Sequence, residues 1–99
     1  MDLALTYAQV AREQNPNDPN IADTLGWVYY KKNAHIKAVR LLREAAEKLQ
    51  DNPVIHYHLG MVHVKRGEPK EAQKAFKTAL KLSDSFPGAD EARKMLNEL

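Results

Sequence analysis

Residues 19–31 read PNIADTLGWVYYK, and residues 53–65 read PVIHYHLGMVHVK. Laid over one another at a shift of 34 positions, Pro19 meets Pro53, Ile21 meets Ile55, Leu25-Gly26 meets Leu59-Gly60, Val28 meets Val62 and Lys31 meets Lys65. The shift holds beyond these stretches. Pro87 falls in the proline column. Ala4, Ala38 and Ala72 form one small-residue column, Ala11, Ala45 and Ala79 another, and Leu42 and Phe76 share a third with Ala8. Repetition at such a period signals stacked supersecondary units, none of which buries its apolar face alone.

Each unit holds two helical patterns. In 20–32 the residues Ile21, Ala22, Leu25, Gly26, Val28 and Tyr29 recur at helical spacing, and Asn33 stands at the break. Gly67 holds the same place one unit later; both residue types tolerate the left-handed conformation that ends a helix. A second helix over 35–49 gathers Ala38, Leu41, Leu42, Ala45 and Leu49 on one face. The next unit repeats the plan over 54–66 and 69–82. Asp18-Pro19 and Asn52-Pro53 each pair a capping side chain with a proline at the first helical position, where its missing N–H costs nothing. Phe86-Pro87 keeps the proline without the polar cap, and Pro69 opens the second helix of its unit. Residues 1–15 supply only the second helix of an earlier unit. Residues 87–99 form one helix with Ala89, Ala92, Met95, Leu96 and Leu99 on one side and charged residues on the other, the polar-backed cap that an array needs. An array that begins mid-unit is expected of a fragment of a longer protein. Leu3, Leu5, Tyr7 and Val10 then lie on a surface expected to drive self-association.

The pattern resembles the tetratricopeptide repeat (TPR), whose signature is W-x2-L-G-x2-Y, then A-x3-F, then P, over 34 residues. One unit gives Ala22-x2-Leu25-Gly26-x2-Tyr29, then Ala38-x3-Leu42 and Ala45. The next gives His56-x2-Leu59-Gly60-x2-His63, then Ala72-x3-Phe76 and Ala79. Ala22 and His56 replace the usual large first residue, His63 replaces the aromatic, and Gln50 and Asp84 stand where the terminal proline is common. The resemblance implies an all-α, right-handed superhelical array of antiparallel helix pairs with about six helices. Its organisation would be a half repeat over 1–18, repeats over 19–52 and 53–86, and a capping helix over 87–99.

Helical geometry sorts the aromatic residues. Tyr29 shares the core face with Ala22, Leu25 and Gly26. Trp27 points roughly 150° away from the centre of that face at 100° per residue, alongside Asn20, Asp23, Tyr30 and Lys31. The resemblance implies that the first helices of successive units line a concave groove that takes partner peptides. Carried over position by position, it places Asn20, Asp23, Trp27, Tyr30 and Lys31 in the groove, continued by Tyr57, Met61, Val64 and Lys65. An aromatic and Met-rich surface outside the core pattern is costly to leave wet and suits adaptable recognition. The alternative is that Trp27 packs against a neighbouring helix and completes the core. The carboxylate clamp of chaperone-binding TPR proteins is disfavoured, because Asp23 and Trp27 occupy the columns of its first Lys and Asn. An apolar or basic peptide segment fits better.

Composition narrows the function class. The 99 residues carry a net charge of +2 with both signs interspersed, a solvated surface rather than a nucleic-acid footprint. Nucleic acid is further disfavoured by the period of 34 and the few groove cations. With no cysteine there is neither a disulfide nor a Cys-ligated metal. The apolar runs are too short to span a membrane, no signal-peptide pattern is visible, and the sequence fixes no compartment. His56, His58 and His63 lack the i, i+4 spacing that brings two imidazoles to one ion, so no metal or other cofactor is expected. His56 and His63 read instead as core positions where protonation would loosen the second unit. No nucleophile motif or phosphate loop appears, so no catalytic residue is assigned. The expected role is a protein- or peptide-binding scaffold, with homo-oligomeric self-assembly through the first helix and the array ends as the alternative.

Overall fold

The computed structural model describes residues 2–99. Among the described residues six helices follow one another: α1 (Leu3–Gln14), α2 (Pro19–Lys31), α3 (His35–Lys48), α4 (Pro53–Lys65), α5 (Pro69–Leu82) and α6 (Ala89–Glu98). No strand occurs among the described residues. The all-α array expected from the repeat is therefore the fold, with helix limits within two residues of those read from periodicity.

The starts follow from side-chain caps. Asp18 Oδ1 accepts from the Asn20 N–H at 2.9 Å, and Asn52 Oδ1 from the Val54 N–H at 3.0 Å. Pro19, Pro53 and Pro69 each take the first helical position. The stops are equally local. After α2 the Ala34 N–H donates to Tyr29 O and the Asn33 N–H to Tyr30 O; after α4 the Glu68 N–H donates to His63 O and the Gly67 N–H to Val64 O. This is the paired closure of a Schellman turn, and it requires the positive φ of Asn33 (64°) and Gly67 (70°). Pro87 departs from the expected register. It lies in the turn before α6, which starts two residues later after Gly88 at φ 103°. Phe86 offers no side-chain cap. Its carbonyl instead accepts from the Ala89 N–H at 3.0 Å and closes the turn.

Small residues set how closely the helices approach. A Cβ on Gly26 would stand 2.9 Å from Leu42 Cγ, and one on Gly60 would stand 2.6 Å from the Phe76 ring. Ala22, Ala38, Ala45, Ala72 and Ala79 are fully enclosed, as are Leu42 and Phe76, so large side chains interlock with gaps left by small ones. Each helix packs on its neighbour in sequence, and α2 also touches α4. Buried clusters succeed one another along the array, the last joining α5 to Phe86 and α6.

Candidate functional site

Periodicity directs Trp27 away from the packed face of α2, and there it meets other rings. Tyr30, one turn on, stacks with it at 4.4 Å between centroids and 10° between planes. His58 of α4 stacks with it at 4.0 Å and 21°. Two rings so close on one side would overlap, so they take opposite faces of the indole. Trp27 is half-buried in this stack, and its two broad faces are covered. The alternative in which it packs on a neighbouring helix is therefore met in part, through His58.

The stack is held by polar contacts. His58 Nδ1 donates to Asp23 Oδ1 at 2.7 Å, joining α4 to α2 and fixing the imidazole plane against the indole. Lys31 Nζ sits 6.0 Å from the indole centroid, within cation–π reach. Tyr57 tilts against Trp27 at 6.2 Å and also meets Phe76 and Phe86. The Tyr30 and Tyr57 phenols are pushed above their ordinary value by burial, reinforced by the negative charge of Glu91 on α6. Both hydroxyls therefore remain protonated donors at neutral pH.

The other expected groove residues divide. Asn20, Lys31 and Lys65 are exposed, and Asp23 is half-buried with one oxygen engaged by His58. Tyr57, Met61 and Val64 are half-buried and packed on the cluster formed by Phe76, Phe86 and the start of α6, so the capping segment covers part of the surface they offer. A Cβ on Gly88 would stand 2.5 Å from the Tyr57 ring, which shows how closely the turn sits on it. Sequence reasoning missed the Asp23–His58 bond and the approach of Glu91. Asp23 and His58 stand 35 positions apart, one off the repeat, so aligning columns never pairs them.

The remaining polar groups are structural. His63, 3% exposed, donates from Nδ1 to Glu68 Oε1 at 2.8 Å, and His56 Nε2 donates to Gln50 O at 2.8 Å. His63 thus faces the Glu68 carboxylate across the turn that follows α4. Each of His56, His58 and His63 turns to a different partner. Among the described residues no three potential metal ligands converge. Tyr29, expected in the core, is half-buried: its hydroxyl accepts from Gln9 Nε2 at 3.1 Å and its ring faces Lys37 Nζ at 5.4 Å. No helix is long and apolar enough to cross a membrane among the described residues.

Comparison with known proteins bears on the family and the fold. A family model described as Tetratricopeptide repeat matches residues 29–87. The anaphase-promoting complex subunit CDC16 of Saccharomyces cerevisiae is 33% identical over 91 residues, covering 85% of this chain and 11% of that protein. The TPR repeat-containing protein PA4667 of Pseudomonas aeruginosa is 40% identical over 50 residues, half of this chain and 8% of that one. The chain thus spans about a tenth of the length of these curated relatives. Among solved structures, PcrH from Pseudomonas aeruginosa superposes with a TM-score of 0.82 at 19% identity, over 95% of this chain and 74% of PcrH. PcrH in complex with the chaperone binding region of PopD gives 0.81 at the same identity and coverage.

Proposed function

The chain belongs to the tetratricopeptide repeat family, and from that premise we propose that it is a non-catalytic scaffold that binds a peptide or partner segment along the face shared by α2 and α4. The repeats divide at 1–18, 19–52, 53–86 and 87–99 in this reading, as half repeat, two repeats and cap. The groove comprises Asn20, Asp23, Trp27, Tyr30, Lys31, Tyr57, Met61, Val64 and Lys65. The observation that carries the proposal is the Tyr30–Trp27–His58 stack, an aromatic wall anchored where Tyr30 packs on the cluster of Ala38, Val39, Leu42 and Val62. Rigid rings present contact area with little rotamer entropy to lose on binding. The relatives support a partner of protein nature: CDC16 is a subunit of a complex, and PcrH is seen with a segment of PopD.

Selection from a displayed peptide library tests this. Peptides enriched on the native chain should be lost on a Lys31→Glu, Tyr30→Ala variant whose helicity is unchanged. Enrichment that ignores these changes, or none at all, removes the groove reading.

A second reading has its own observation. On α1, Leu3 (54% exposed), Tyr7 (69%) and Val10 (45%) fall at i, i+4 and i+7 on one face. Wet apolar stripes of this kind favour association, and self-assembly through this face is the alternative. Sedimentation of Tyr7→Glu against the native chain decides it: a concentration-dependent mass in the native chain alone supports assembly, and monomers in both exclude it.

A further inference from the structure

The repeat forms the same dent twice. One lies between α1 and α3 above α2, with a volume of about 280 Å³. The other lies between α3 and α5 above α4, with about 210 Å³. Their linings correspond at the shift of 34: Leu25 with Leu59, Tyr29 with His63, Lys37 with Glu71, Arg40 with Lys74, and Leu41 with Ala75. The backbone arrangement is shared, so the difference between the dents lies in their side chains.

In the first dent Leu25 and Leu41 give an aliphatic floor and the Tyr29 ring a wall. Arg12 closes one end, but its charge is spent on Glu44 through bonds of 2.5 and 2.8 Å. That leaves Lys37 and Arg40 on the rim, and neither takes part in an ion pair among the described residues. In the second dent Glu71 replaces Lys37, Ala75 shortens the floor and His63 replaces the phenol. The charge there is mixed and the apolar surface smaller.

We propose that the dent between α1 and α3 binds a small carboxylate carried on an aromatic or branched apolar body, with the body against Leu25, Leu41 and Tyr29 and the carboxylate between Lys37 and Arg40. Two cations outside any ion pair, Lys37 resting over the Tyr29 ring at 5.4 Å, stand beside an apolar hollow and select that combination over either a neutral hydrophobe or a bare anion. The volume lies just under the range of drug-sized pockets, so the ligand has roughly ten non-hydrogen atoms. Leu25 and Tyr29 lie roughly 160° round α2 from Trp27 at 100° per residue. The dent is therefore separate from the aromatic stack and does not depend on the groove reading.

Titrating the full chain with 3-phenylpropionate while recording methyl and aromatic NMR signals tests the site. The expected result is saturable shifts at Leu25, Tyr29 and Leu41 with a dissociation constant in the millimolar range. The neutral amide of the same compound should bind at least about threefold more weakly. A Lys37→Glu, Arg40→Gln variant changes only exposed rim residues and should lose the preference for acid over amide. A tetrapeptide ending in phenylalanine separates two sources of the ligand: tighter binding than the free acid assigns the dent to a protein's carboxyl terminus, weaker binding to a free acid. Equal binding of acid and amide, shifts centred on Leu59 and His63, or no shifts in the millimolar range would each overturn the assignment.

Discussion

Gly60 and Gly67 sit seven residues apart and answer to different forces. A methyl group at Gly60 would press into the Phe76 ring, whereas one at Gly67 would meet open space and only the cost of φ 70°. Gly67→Ala should therefore lose about 1 kcal/mol, the left-handed penalty of a side chain. Gly60→Ala should lose about 1–3 kcal/mol through overpacking of a closed interface. Gly88→Ala carries both costs, a φ of 103° and the Tyr57 ring at 2.5 Å, and should be the worst of the three. Urea unfolding followed by circular dichroism gives the order, and a Gly67→Ala loss equal to that of Gly88→Ala would contradict it. The packing role of Gly26 and Gly60 is legible in the sequence because each stands in a helical run beside large apolar residues. That of Gly88 is not, because Tyr57 reaches it only after α6 has folded back.

Helix α1 packs on α2 and is tied to the rest by polar links between elements. Arg12 reaches Glu44 on α3, Lys32 after α2 pairs with Asp2, and Gln9 donates to Tyr29. Only Ala8 of this helix is buried. The Glu44 carboxyl is held below its ordinary value by the hydrogen bond from Arg12, and Asp2 by that from Lys32. A carboxyl depressed in the folded state stabilises it above the ordinary carboxylate pKa and loses that contribution as pH falls through the lowered value. The α1 amides should accordingly lose hydrogen-exchange protection before those of α3 and α4 as the pH drops below the ordinary carboxylate range, with little change between neutral pH and the upper edge of that range. Uniform loss across all helices would contradict this. The existence of α1 is legible from its alanine columns. Its attachment is not, because Arg12 and Glu44 stand 32 residues apart and the salt links lie outside the apolar pattern.

The described residues measure 38 × 25 × 19 Å. Interactions run between neighbours, so stability is a sum of local interfaces rather than one central core. Removing residues 87–99 would uncover Phe76, Phe86 and Ala79, which share a cluster with Ala89 and Ala92. The shortened chain should keep most of its helicity at low temperature, melt lower than the full chain, and self-associate in sedimentation; an unchanged melting temperature would show the last helix to be dispensable. The order of the helices is legible because the 34-residue period passes through the entire chain. The meeting of Trp27 with His58 is not, because periodicity assigns a side chain to a face but leaves open which ring from the adjoining hairpin lies upon it. That meeting has a practical outcome. Trp27 is the chain's single tryptophan, and an imidazole from a different hairpin rests on it, so its emission works as an optical gauge of whether α2 and α4 remain docked. When emission and ellipticity are followed through one denaturation, the light signal will change first wherever the hairpins separate while still coiled.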